Sequence, residues 1–459
     1  MNTKRYLIIV ISLISVLLSV NTAVFAGVSE EEAGKLKTIL TPSGAEKAGN
    51  KEGTIPAWTG GIEKTEPRTT GEIPGVYTED KVLFKITAAN MDQYADKLNE
   101  GMKTLLKRNP DTFYLNVYPT RRSWAAPEWV YENTYKNAMS TTLAPCKVGT
   151  CPVEFFAGYP FPIPKTGEQV MFNHLYRWQV VGYDCNMETV AITTNGKAVT
   201  KGVAHNILQF PLYDTKNFTR EKYIASDQVL RKLLVEFINP PIKVGEKLIA
   251  RTHIDDGKSA QWLYMTGQRR MRRLPVACCD VPNPSSAGAM NFDETEGFFG
   301  RISLFDWKII GKQEMYVPYN TNALWRVKTR DEAIHARHYN PELLRFELHR
   351  VWVVEATLKE GERHVQPRHR YYIDEDSWMI LYGDRYDARD QLAKTIHTCP
   401  TLFPELPTLL SLAPSAFDLI RNVWVTFSYA GFGDKTMKFI DPKPDYIYQP
   451  TGSAGEGIR

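Results

Sequence analysis

Charge of one sign is the first thing this chain lacks: 56 Lys and Arg stand against 52 Asp and Glu, a net +4 in 459 residues. So small an excess argues against capture of nucleic acid, which needs concentrated positive charge. The nucleophile elbow G-x-S-x-G, the Walker A loop and the zinc motif H-E-x-x-H are all missing. Gly431-Phe-Gly-Asp-Lys-Thr436 imitates part of a phosphate loop with the wrong spacing. After residue 26 no apolar run approaches the roughly 18 residues that mark a membrane-spanning helix. No repeat of fixed period is present and no linker divides the chain. No metal or other cofactor is expected.

Residues 1–26 read as a secretory signal. Lys4 and Arg5 precede an apolar run of about 15 residues, and Val24-Phe25-Ala26 supplies small residues at the cleavage site. The run is shorter than the ~20 residues a spanning helix needs, so cleavage after Ala26 and export are expected. In an oxidising compartment Cys146, Cys151, Cys185, Cys278, Cys279 and Cys399 are disulfide candidates. Cys146 and Cys151 could close a small loop across Gly149. Adjacent Cys278 and Cys279 are not expected to bond to each other, because neighbouring residues strain disulfide geometry. The pairing as a whole is not readable from spacing.

With 23 Tyr, 20 Phe and 10 Trp, the composition favours strands. Residues 27–459 read as a single domain, helix- and loop-rich over 27–177 and strand-rich over 178–459. Ser29 caps a short helix, and Met91, Tyr94, Leu98, Met102, Leu105 and Leu106 predict another over 87–108. A third is predicted over 167–177. Residues 41–61, dense in Gly and Pro, read as a loop wrapped on a surface and anchored by Trp58. The aromatic and proline residues of 152–164 read as the outside of a sheet. The clearest strand covers 346–358, with Phe346, Leu348, Arg350, Trp352, Val354, Ala356 and Leu358 on one face. Hairpins continue through 369–373 and 378–386, and a helix bent at Pro414 is predicted over 406–422. Strands joined by short turns predict an α+β fold: a large curved antiparallel sheet with helices packed on its concave face. An apolar groove forms readily between them.

Trp262 and Tyr264 share one face of a strand over 261–268. With Arg350, Trp352, Val354, Trp378, Ile380 and Tyr382 they are the candidate lining of that groove, although an aromatic stripe is more often plain core. Arg350, a charge in an apolar phase, needs a partner or a wet cavity. Arg269, Arg270, Arg272 and Arg273 leave no apolar face around Met271. They mark either an edge protected by charge or a contact for an anionic head group or an acidic partner. Asp374-Glu-Asp376 reads as a solvated hairpin turn, Asp293-Glu-Thr-Glu296 as a solvated loop, and His335 and His338 as surface or partly buried histidines.

Several segments resemble domain-of-unknown-function family 1329: Thr41–Asn50, Gly53–Gly61, Lys312–Asn320, Asn340–His364 and Tyr372–Trp378. The match spreads over nearly the whole chain beyond the signal. Its implied fold is similar to the periplasmic lipoprotein carriers LolA and LolB, a half-open antiparallel barrel closed by helices that holds acyl chains. The resemblance implies a periplasmic, non-enzymatic carrier or chaperone for a hydrophobic molecule or lipid. It also implies companionship with an outer-membrane channel-like protein and an exporter of the resistance-nodulation-division type. The alternative is an accessory or assembly factor that docks through its surface without a ligand of its own.

Overall fold

A computed structural model describes residues 27–274, 279–283, 286, 288–432 and 436–450, apart from the side chains of residues 200 and 201. The expected signal and Cys278 lie outside the described residues.

Four short strands come first: β1 (Phe84–Ile86), β2 (Leu115–Val117) and the hairpin β3 (Thr142–Pro145) and β4 (Thr150–Val153). A meander follows through β5 (Gly182–Ile192), β6 (Ala198–Gln209), β7 (Val229–Asn239), β8 (Lys247–His253), β9 (Ala260–Met265) and β10 (Arg270–Leu274). The second meander runs through β11 (Phe305–Pro318), β12 (Phe346–Leu358), β13 (Arg368–Asp374), β14 (Ile380–Tyr386) and β15 (Leu392–His397). A side hairpin, β16 (Pro400–Phe403) and β17 (Thr408–Ser411), leads to β18 (Ser415–Asp418), β19 (Val423–Ser428) and β20 (Lys438–Phe439).

Among the described residues sixteen strands join one sheet, in the order β1-β2-β12-β13-β14-β15-β18-β19-β5-β6-β7-β8-β9-β10, with β11 on β12 and β20 on β5. β19 against β5 unites the two meanders. Among the described strands only β2 and β12 pair in parallel. β1 and β10 end the order unjoined, so the sheet is open, the α+β architecture with a large antiparallel sheet expected above. Opposite pairs carry one face across it from Val354 through Tyr371, Gly383, Ile396, Ala416 and Val425 to Ala191. The Gly167–Leu175 helix and residues 288–304 pack on that face.

The opposite face receives the Glu100–Arg108 helix. The helix predicted over 87–108 is in fact two pieces, a 3-10 turn over Met91–Lys97 and this α-helix. Asn99 between them takes an extended conformation and caps Met102 N, because a capping side chain satisfies a helix-end donor that continuation would leave to the backbone. No helix forms over 406–422. Those residues are β17 and β18, drawn into buried pairings, and Pro414 sits between the strands where no ladder donor is required.

Two loops expected in solvent are core. Asp374, Glu375, Asp376 and Ser377 are buried, as are Asp293, Glu294 and Glu296, because basic side chains from other elements pair with most of their carboxylates. Phe155, Phe156, Tyr159 and Phe161, read as lining the outside of a sheet, belong to the main apolar cluster. His335 is exposed and His338 is buried beside Thr112.

The Glu100–Arg108 helix docks closely: a Cβ on Gly101 would lie 2.0 Å from Thr395 Oγ1, so only glycine fits. Beneath it Asp384 is buried and accepts from Asn99 Nδ2 at 2.8 Å, Thr395 Oγ1 at 2.8 Å and Gly101 N at 3.3 Å. Burial outweighs these bonds and pushes its carboxyl up to about 6. A raised carboxylate stabilises the fold when protonated, and that stabilisation is lost as pH rises through the folded value. Asp384→Asn is therefore expected to gain about 2–3 kcal/mol on the wild type between pH 4 and pH 7, read from paired urea titrations.

Candidate functional site

Register places the site. In adjacent antiparallel strands, opposed residues share a face. Leu233 opposes Ala250 and Val235 opposes Leu248, while Ala250 and Leu248 oppose Gln261 and Leu263. All six line a cavity of about 540 Å³. Its other wall is formed by Phe172, Leu175 and Tyr176 of the Gly167–Leu175 helix end, with Phe299 and Ile302 from the stretch before β11. Thr166 caps that helix at Gln169 N, and Gly167 lets it approach β11, where a Cβ would meet the Trp307 carbonyl carbon at 2.8 Å. Thr150 and Cys151 of the β3–β4 hairpin complete the wall, and the Cys146–Cys151 disulfide closes that hairpin. Its size and largely apolar lining are those of a small-molecule pocket.

A charged group interrupts the apolar wall. Arg231, on β7, donates from Nη1 to Glu296 Oε1 at 2.8 Å, and Arg177 donates from Nη2 to the other oxygen at 2.6 Å. Burial alone would raise the Glu296 carboxyl, but Arg177 and then Arg231 hold it below the usual range.

A second polar cluster lies at the far end of the same sheet. Arg122 pairs with Asp376 at 2.6 Å and also donates to the Glu46 and Lys47 carbonyls. Arg350 pairs with Glu375 at 2.9 Å and donates to the Glu46 and Ala48 carbonyls. Glu375 in turn accepts from Glu46 N at 2.7 Å and from Lys312. Trp378 Nε1 reaches the Ser43 carbonyl at 2.9 Å. Residues 43–50 are thus lashed across β11, β12 and the β13–β14 turn. Donor atoms of His349, Asp374 and Asp376 come close enough to hold a cation. The Arg122 guanidinium already occupies Asp376, and His349 is bonded to Glu347 at 3.1 Å, so the charge there is balanced within the protein.

The model of a family described as "Protein of unknown function (DUF1329)" matches residues 85–452. An uncharacterized protein of Pseudomonas aeruginosa, PA3922, is 34% identical over 445 residues, 95% of this chain and 96% of that protein. The chain belongs to the DUF1329 family. Among solved structures, a domain from Vibrio parahaemolyticus assigned to outer-membrane lipoprotein sorting is similar at TM-score 0.43 and 11% identity, over 63% of this chain and 98% of its own. A DUF1329 protein of Desulfovibrio piger is similar at TM-score 0.42 and 12% identity, over 62% of this chain and 95% of its own.

In this DUF1329 protein the residues singled out from sequence are scattered. Trp262 and Tyr264 point to the face of β9 away from the cavity, where Trp262 packs with Leu234, Ile249 and Tyr448. Arg350, Trp352 and Val354 lie on the cavity's face of the sheet but at its filled end. There Trp352 stacks on Trp378 with centroids 6.0 Å apart. Ile380 and Tyr382 are split to opposite faces, because a bulge at Leu381 inserts one residue between them. Arg270 and Arg272 are exposed on the edge strand β10, Arg269 sits in the turn before it, and Arg273 borders the cavity. Cys399 is a buried free thiol and Cys185 is buried, whereas Cys279 is not free. Sequence reasoning missed the actual wall. Its signal was the alternation Leu233, Val235, Phe237 on β7, in phase with Leu248 and Ala250 on β8.

Replacing Arg122 by Met leaves the Asp376 carboxylate buried without its partner. The expected cost is about 3–5 kcal/mol in urea unfolding. Adding Asp376→Leu is expected to recover only part of it, since the Glu46 and Lys47 carbonyls also lose their donor.

Proposed function

We propose that this chain is a periplasmic, non-enzymatic carrier or chaperone that binds one lipid-like or other hydrophobic molecule in the cavity between β6–β9 and the Gly167–Leu175 helix. The cavity itself carries the reading: about 540 Å³ walled mostly by aliphatic and aromatic side chains. An alkyl chain entering it gains about 0.8 kcal/mol per buried methylene, so a dozen methylenes offset the cost of association. Export rests on the signal-like residues 1–26, and no helix among the described residues is long and apolar enough to cross a membrane. Native mass spectrometry on protein taken from the periplasm without detergent is expected to show an adduct of lipid or hydrocarbon mass. Ala250→Trp, which fills the cavity, is expected to lose the adduct, and Trp262→Ala, on the opposite face, to keep it. A clean apo mass after exposure to envelope lipids overturns the reading.

The sheet edge favours a second reading. β10 pairs only with β9 among the described residues and exposes Arg270 and Arg272, a surface suited to an acidic partner. If docking there is the role, the protein carries no ligand of its own and R270E/R272E abolishes co-purification of a partner.

A further inference from the structure

The charges around the cavity specify the polar end of its ligand, an inference that rests on the carrier reading. The Arg231 side chain is 11% exposed and forms part of the cavity wall. Its guanidinium lies 3.7 Å from the ring centre of Phe299, another wall residue. One nitrogen serves Glu296, while Nε is buried and has no hydrogen-bond partner among the described residues. Behind it Arg177, 2% exposed, gives Nη2 to Glu296 and Nη1 to the His174 carbonyl, and its Nε is likewise unpartnered.

Two guanidiniums therefore share one carboxylate. The titratable groups packed around them do not restore the balance. Burial, and then the charge of Arg177, holds His174 far below the ordinary imidazole range, so it is neutral. Burial likewise keeps the Tyr183 and Tyr429 phenols protonated. Elsewhere on the wall, Asp256 is taken by Arg301 at 2.7 Å. Lys243 and Glu246 stand in the β7–β8 turn, at the other end of β7 from Arg231. Arg273, exposed at the cavity's border, adds no negative charge, so among the described residues the Arg231–Arg177–Glu296 group carries one surplus positive charge beside a largely apolar void. A buried charge without a counterion is costly, and an anion that supplies one is bound for that reason.

We infer that the cavity takes an amphiphile with a single anionic head, a carboxylate or a phosphate, whose oxygens sit on Arg231 and whose tail runs along β7. A guanidinium with free N–H groups suits either head, since both present paired oxygens. From Arg231 the inward positions continue as Leu233, Val235 and Phe237, a span of about 20 Å on an extended strand. That span accommodates a long acyl chain.

The test is fluorescence titration of the full-length mature protein with pyrene-labelled hexadecanoate and with its methyl ester. The wild type is expected to bind the acid roughly tenfold or more tightly than the ester, the range of a hydrogen bond to a charged group. Arg231→Gln is expected to bind the two alike. Displacement of the labelled acid by palmitate or by hexadecyl phosphate, whichever acts at lower concentration, tells a carboxylate ligand from a phosphate one. Equal wild-type affinity for acid and ester overturns the head-group inference and leaves the carrier reading standing. Failure of both probes and of hexadecyl phosphate to bind overturns both. Should Arg231→Gln fail to fold, the wild-type ratio alone decides.

Discussion

Glu375 is the point on which the arrangement turns. Its buried carboxylate accepts from the Glu46 amide, from Arg350 and from Lys312, which ties the strap of residues 43–50 to β11 and β12. Arg122 does the same work from Asp376. Arg122 pairs with Asp376, Arg350 and Lys312 with Glu375, and Arg345 with Glu347, so these three buried carboxylates each have a cation, while Asp374 accepts from Tyr319 and Ser377. Buried ion pairs of this kind add little net stability but are expensive to break, which makes the strap's position close to obligatory.

That position divides the sheet. At the strapped end, Trp378 is fully buried against Trp352 and Tyr159, and Phe298 packs edge to face on Trp307 and Tyr371. Large rings fill the space to interior density. At the other end the same face carries Leu233, Val235, Leu248, Ala250 and Leu263, and among the described residues no side chain fills the volume they enclose. The void is a consequence of side-chain size on one end and of where the covering segments run. A pocket whose wall is mostly apolar, with Arg231 set into it, follows from the same division.

Much of this was legible residue by residue. The strand over 346–358 has the bounds its alternation predicts, and Ser29 caps the helix Glu30–Gly34. Cys146 and Cys151 are bridged. The segments that carried the family resemblance, 41–50, 312–320, 340–364 and 372–378, converge on the ionic cluster. The groove was the harder matter. Trp262 and Tyr264 drew attention as aromatics, yet their strand turns Gln261 and Leu263 inward, a difference of one position. Ile380 and Tyr382 look in phase until a single bulge residue puts them on opposite faces. The acidic turns at 293–296 and 374–376 read as solvated because their partners, Arg122, Arg177, Arg231 and Arg385, lie up to 254 residues away in the chain.

By itself the sequence determined what is local: the period-two alternation of the strands, the capped helix starts, the short disulfide loop and the family to which the chain belongs. Alternation repeats every second residue, so it can be read without knowing the neighbours. Only the tertiary structure decided which face of each strand looks inward, which half of the sheet the chain fills with its own rings, and that Arg231 and Arg177 share a single carboxylate. Those outcomes depend on bulges and on segments distant in sequence, and burial is a property of what packs on a surface rather than of the surface alone.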